Sequence, residues 1–162
     1  MVEPGAPTAD GPRPTLVECS SREAEIELAV KQAVEASKTQ SVALLFRDRE
    51  DEAVVRPRLP RAAIRLDHDM TTWQAGPGIR FGAYHSAKGL EFDAVILPFL
   101  SKDRLPDPGY VDIFGKEDAT IQDGRLIYVA VTRAKTRLLL IHTGEVTALL
   151  PTEPGLYEKV RR

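Results

Sequence analysis

Cysteine occurs once in this chain, at position 19, and histidine only at 68, 85 and 142. A lone thiol cannot close an intrachain disulfide, and these few residues offer no zinc-type spacing, so stability must come from a packed core in a reducing, intracellular setting. Long apolar runs are missing too. The longest, such as Ala94 to Leu97, are far too short to span a bilayer, and the opening MVEPGAPTADGPRP lacks a basic-then-apolar secretion pattern. A soluble, cytoplasmic protein without a membrane partner is the expectation. Nor does one sign of charge dominate: 22 Lys and Arg face 24 Asp and Glu, for a net charge of −2. That removes bulk basicity as an argument for nucleic-acid binding and leaves only local patches.

Certain chemical signatures are also absent. A nucleotide-binding domain that works alone needs a phosphate-cradling loop, Gly-x-x-x-x-Gly-Lys-Ser/Thr, whose N–H groups and lysine hold the phosphates. The nearest approach is Gly115-Lys116, but Tyr110 stands five residues earlier and Glu117 follows. No strand leads into a Gly-x-Gly-x-x-Gly, and no serine sits in a Gly-x-Ser-x-Gly elbow.

What is present is one domain's worth of chain, 162 residues with 43% apolar content. Four of its twelve prolines lie in the first fourteen residues beside Gly5 and Gly11, so residues 1–14 are expected to be a flexible lead or linker. The domain proper is expected over 15–150, with 151–162 as a tail. Leu16 to Cys19 reads as a strand, and Ser20 with Glu23 three residues on has the form of a capping box. The helix that follows places Ile26, Ala29, Val30, Ala33 and Val34 on one face and Glu23, Glu27, Lys31 and Glu35 on the other. Ser41 to Phe46 is apolar without alternation, as a strand buried on both faces should be.

A short helix before Pro57, a strand over Ala62 to Leu66 and a loop over Met70 to Pro77, containing Trp73, come next. Strands over Ile79 to Tyr84 and Ala94 to Leu97 flank a tight segment containing Gly89. A polar loop with Pro106, Pro108 and Gly109 leads to a helix over about Asp123 to Ala134, then a strand over Arg137 to Ile141. Strands alternating with helices predict an α/β fold, a parallel sheet with helices on both faces. Ligands in such sheets bind beyond the carboxyl ends of the strands, which directs attention to the residues following each strand.

Three of those segments carry a specific resemblance. Ala83-Tyr84-His85-Ser86-Ala87-Lys88-Gly89-Leu90-Glu91-Phe92-Asp93, followed about thirty residues later by Arg125-Leu126-Ile127-Tyr128-Val129-Ala130-Val131-Thr132-Arg133-Ala134-Lys135, resembles motifs V and VI of the UvrD/Rep-type superfamily 1 DNA helicases. Leu44-Leu45-Phe46-Arg47 resembles their motif IV. All three blocks belong to the second RecA-like motor domain of that family, whose P-loop NTPase-type fold lacks the phosphate loop because the loop sits on the first.

The resemblance implies an ATP-dependent helicase or translocase in which this chain supplies half of the ATP cleft and half of a single-stranded DNA groove. ATP would bind with Mg2+ held by the first motor domain of the same parent polypeptide, and the chain alone would be inactive. Phe46 would stack on the adenine, and Arg47 would reach the terminal phosphate. Glu91 would take the ribose hydroxyl, and the backbone at Gly89 would approach the phosphates. Arg133 would be the arginine finger, while Tyr84, His85 and Ser86 would face DNA. Ala83 stands where the family usually has threonine, and Asp123-Gly124-Arg125 keeps one arginine of a common pair. The alternative is a non-catalytic, helicase-derived module that binds protein or nucleic acid. Lys88 and Glu91 could simply pair with each other, and Arg56, Arg58, Arg61 and Arg65 could be a phosphate track or a solvated charge run.

Overall fold

The computed structural model describes residues 13–66 and 76–162. The loop reading with Trp73 lies outside these residues except for Gly76 and Pro77, and the lead is described only at Arg13 and Pro14. The strands are β1 (Thr15–Cys19), β2 (Ser41–Phe46), β3 (Ile64–Arg65), β4 (Gly78–Ala83), β5 (Phe92–Leu97), β6 (Ala134–Thr143) and β7 (Glu158–Arg161). The α-helices are α1 (Arg22–Ala36), α2 (Arg49–Val55), α3 (Pro108–Phe114) and α4 (Lys116–Val131). All seven strands form one parallel sheet in the order β3-β4-β2-β5-β6-β1-β7.

Alternation along the central strands builds two apolar layers, because successive side chains leave a strand on opposite faces. Val42, Leu44 and Phe46 of β2 join Ile26, Ala29 and Ala33 of α1 on one face. Ala43 and Leu45 join Ile127, Ala130 and Val131 of α4 on the other, together with Tyr84 and Ala87. β2 is buried at every residue, as its unbroken apolar run predicts. The sequence-derived architecture, an α/β parallel sheet covered on both faces, is the observed one.

Several local expectations are corrected. The N-cap of α1 is Ser21, whose hydroxyl accepts the Ala24 N–H; Ser20 and Glu23 form no capping box, and Glu23 instead pairs with Arg58 at 2.5 Å. α4 begins seven residues before Asp123 and ends at Val131. The loop containing Pro108 folds as α3, with Asp107 accepting the Tyr110 N–H as its cap and Pro108 at the first position, where a missing N–H costs nothing. The expected tail at 151–162 contains β7, which adds to the sheet edge beside β1.

Candidate functional site

The eight residues singled out from sequence fall into two groups at opposite ends of the sheet. Phe46 ends β2, Arg47 follows it, and Tyr84, His85 and Ser86 follow β4, at the carboxyl ends of their strands. Gly89 and Glu91 precede β5 and Arg133 precedes β6, at the amino ends. The expectation that all of them lie at strand exits is therefore corrected. The segment after β4 crosses the sheet face in a 3-10 turn, Tyr84–Ala87, and delivers Gly89 and Glu91 to the far end. A six-residue strand separates the two ends by about 20 Å.

At the carboxyl end, Arg47 Nε donates to Asp123 Oδ1 at 2.9 Å. The other oxygen of Asp123 accepts the Asp107 N–H at 2.7 Å, and the carboxylate is fully buried. Phe46 has no exposed surface; its ring lies among the residues beneath α1, 6.3 Å from Phe99. Alternation forces this, since Phe46 shares its face with Val42 and Leu44. It has no ring face open to an adenine, so the stacking role is withdrawn.

Tyr84 is likewise 1% exposed and anchors the 3-10 turn against α4, so it does not face DNA. Burial pushes its phenol well above the usual range; Asp51 adds to that shift and Arg47 opposes it. His85 is exposed and Ser86 half-buried, so both remain open to a ligand.

At the amino end, segments far apart in sequence meet. The Phe92 N–H donates to the Arg133 carbonyl at 2.9 Å, and Arg133 Nη1 donates to the Leu90 carbonyl at 3.3 Å. Arg133 also donates from Nε to the Val129 carbonyl at 3.1 Å and from Nη2 to Thr132 Oγ1 at 3.2 Å. Its guanidinium is folded against the end of α4. Gly89 has φ +82, a left-handed conformation that a side chain resists, with open space where a Cβ would stand. Glu91 and Lys88 are both exposed, and among the described residues no ion pair joins them.

A further cluster, which sequence reasoning missed, lies where β2 and β5 end. Phe99, two residues past β5, has φ +68 and sits between the guanidiniums of Arg22 and Arg104, whose carbons lie 4.8 and 5.4 Å from its ring centre. Both arginines pair with Asp51, Arg22 at 3.1 Å. Burial still raises the Asp51 carboxyl above its ordinary value, outweighing the attraction of Arg104 and Arg22. The Phe99 N–H donates to Glu25 Oε1 at 2.8 Å, and the Thr143 hydroxyl donates to Glu25 Oε2 at 2.6 Å.

A sequence signal for Asp123 did exist. Ala119, Asp123, Ile127 and Ala130 recur at helical spacing, so an acid stands in an apolar stripe and needs a buried partner. Starting the helix at Asp123 hid that stripe. Among the described residues, no three His, Cys, Asp or Glu are grouped to hold a metal, and no helix is long and apolar enough to cross a membrane.

Comparison with known proteins agrees with the fold. A solved structure of the C-terminal domain of a possible DNA helicase from Lactobacillus plantarum WCFS1 superposes with a TM-score of 0.65, at 24% identity, covering 92% of this chain and 86% of that one. A probable DNA helicase II homolog of Rickettsia conorii is 30% identical over 84 residues, which is 52% of this chain and 13% of the relative. The ATP-dependent DNA helicase UvrD2 of Mycobacterium tuberculosis is 36% identical over 95 residues, 56% of this chain and 14% of that protein. The matched segment thus spans only about one seventh of these relatives. The family model for the UvrD-like helicase C-terminal domain matches residues 59–145, which contain both the Gly89–Glu91 segment and Arg133. The chain belongs to the UvrD-like helicase C-terminal domain family.

Proposed function

We propose that the chain is the second motor domain of an ATP-dependent DNA helicase or translocase, contributing one wall of the ATP cleft and part of a single-stranded DNA path. The observation that carries this reading is the junction at the amino end of β5 and β6. Arg133 lies 3.3 Å by hydrogen bond from the Leu90 carbonyl, between the glycine turn at Gly89 and the exposed carboxylate of Glu91. An arginine, an open backbone turn and a carboxylate match the parts of a nucleotide: phosphate, phosphate approach and ribose hydroxyl. Arg133 would exchange its carbonyl contacts for phosphate oxygens when the cleft closes. Such an arginine stabilises charge developing during phosphoryl transfer and contributes about 10³–10⁵-fold in GTPases.

ATP and Mg2+ would be held chiefly by a first motor domain carrying the phosphate loop that is missing from this sequence. His85 and Ser86, at the opposite end of the sheet, are the residues open to DNA. Closing the cleft at one end and shifting contacts at the other would couple hydrolysis to movement along the strand.

Two measurements test the reading. The purified 162-residue chain is expected to show no arginine-dependent ATP turnover. In the assembled motor, Arg133→Ala should cut DNA-stimulated turnover by at least 100-fold while leaving DNA affinity within a few-fold. Unchanged turnover would remove Arg133 from the phosphate. The chain would then read as a docking module, for which the exposed Ile113 and Phe114 of α3 provide an apolar surface.

A further inference from the structure

We infer that the outward face of α3 and α4 is the surface on which the first motor domain docks, an inference that rests on the cleft reading above and names the contact that would hold the two halves together. Single exposed apolar residues are ordinary on a folded domain, whereas a grouped set marks a contact. Among the described residues six large hydrophobic side chains are exposed, and four of them, Ile113 and Phe114 of α3 and Ile121 and Tyr128 of α4, lie on these two consecutive helices.

The spacing along α4 explains their direction. Ala119, Asp123, Ile127 and Ala130 form its buried stripe, while Ile121, Arg125 and Tyr128 recur at four and three residues on the opposite side and are exposed. None of the seven residues of α3 is buried; Asp107 caps the helix, and the Tyr110 and Phe114 rings brace it with their centres 4.4 Å apart. A helix so short draws most of its stability from tertiary packing, and Ile113, 74% exposed, finds little within this chain.

The route taken by the site residues selects the occupant. Tyr84 and Ala87 pack in the same layer as Ile127, Ala130 and Val131, so the segment that links His85 and Ser86 to Gly89 and Glu91 crosses the sheet on the α4 side. The sixteen residues of α4 extend about 24 Å between those two ends, with α3 just before its first turn and Arg133 just after its last. A domain that shares both nucleotide and DNA with this one has to reach both ends, and the exposed apolar residues lie along that path. The relatives described above keep most of their length outside the matched segment, which is 13% of one and 14% of another, so a parent polypeptide of that size has ample chain for such a partner. Arg125, between Ile121 and Tyr128, makes no ion pair among the described residues. The fitting surface is therefore apolar, with a carboxylate facing Arg125.

Thiol labelling reads the cover directly, because the native Cys19 is buried. Cysteine placed at Ile113, Phe114 or Tyr128 should react with a maleimide about tenfold or more slowly in the assembled motor than in the 162-residue chain, relative to Val54→Cys on α2, at the other face of the sheet. Equal rates in the two forms would overturn the inference. A benzophenone cross-linker carried by Phe114→Cys should join the domain bearing the phosphate loop, and capture of any other segment, or of a second copy of this chain, would also overturn it. Arg133→Ala separates the two levels. Full turnover in that variant defeats the cleft reading and the inference with it, whereas a large loss of turnover alongside freely labelled thiols removes the docking surface alone.

Discussion

Phe46 and Arg47 are neighbours with opposite fates, and the pleat of β2 decides between them. Phe46 falls on the face covered by α1 and is sealed, whereas Arg47, one residue beyond the strand, turns to α4 and meets Asp123. Glu25 shows the same sensitivity to position. It sits on the buried side of α1, where its carboxylate accepts from the Phe99 N–H and the Thr143 hydroxyl. Burial raises its pKa above the ordinary value, and those two bonds together with Arg104 and Arg22 only partly offset the rise. Between the unfolded value of about 4.3 and the raised folded value, the folded state holds more protons than the unfolded one. The stability contributed by Glu25 is therefore complete at low pH and lost as pH rises through the folded value.

Glu25→Gln is expected to flatten this slope, leaving the part due to Asp51, which is shifted in the same direction. Relative to wild type it should gain stability as pH approaches 7. Glu25→Ala leaves the buried Phe99 N–H without an acceptor and should cost about 1–3 kcal/mol. Urea unfolding across a pH series reads both, and an unchanged slope in the glutamine variant would refute the assignment.

At the scale of elements, sequence patterns revealed those segments whose side chains are sorted by burial. β1, β2, β5 and β6 carry apolar runs, and α1 carries a stripe at helical spacing, so each could be placed to within a few residues. α3 left no such imprint because none of its residues is buried; only the Asp107-Pro108 pair marks its start. The first half of α4 is mostly polar, with Ala119 as its buried residue before Asp123, which is why the helix seemed to begin late. β3 shrinks to two exposed edge residues. The candidate site was legible as a set of residue types, but its division between two ends of the sheet was not, because the 3-10 crossing after β4 has no periodic signature.

β7 was hidden for a related reason. Its sequence Glu-Lys-Val-Arg is charged, as an exposed edge strand should be, and only Val160 packs on the core. It nevertheless pairs with β1 from Thr15↔Glu158 to Glu18↔Arg161, and Tyr157 just before it packs on the opposite layer. A chain ending at Gly155 should lose about 2–3 kcal/mol from the apolar area of Val160 and Tyr157. It should also associate more readily, since the edge of β1 becomes available for pairing. Equal stability and an unchanged monomer fraction, measured by denaturation and sedimentation, would show that β7 is an ornament of the edge.

For the molecule as a whole, charge limits how the proposed DNA path can be built. The net charge is −2, and the arginines at 56, 58, 61 and 65 are largely engaged within the domain. Arg58 pairs with Glu23 at 2.5 Å, Arg65 with Glu52 at 2.8 Å, and the Arg56 guanidinium lies 6.0 Å from the Phe81 ring centre. The exposed Arg58–Glu23 pair is individually weak, yet it and the Arg65–Glu52 pair each place a carboxylate beside the cation and oppose the local field that would attract a phosphate. The solvated-run reading of these arginines is thus favoured over a phosphate track. His85 and Ser86 can contact a strand by hydrogen bonding without adding much charge. Single-stranded binding contributes a slope of about −0.7 per neutralised phosphate in a plot of log affinity against log salt. With one or two phosphates engaged, the isolated chain should bind an oligonucleotide weakly, with a slope no steeper than about −1.5. Arg58→Ala and Arg65→Ala should leave that slope unchanged, whereas replacing His85 and Ser86 by alanine should weaken binding at every salt concentration. A slope near −3 that collapses when the four arginines are removed would place the DNA along them, and the path would then have to be redrawn over α2 and β3 instead of the end of β4.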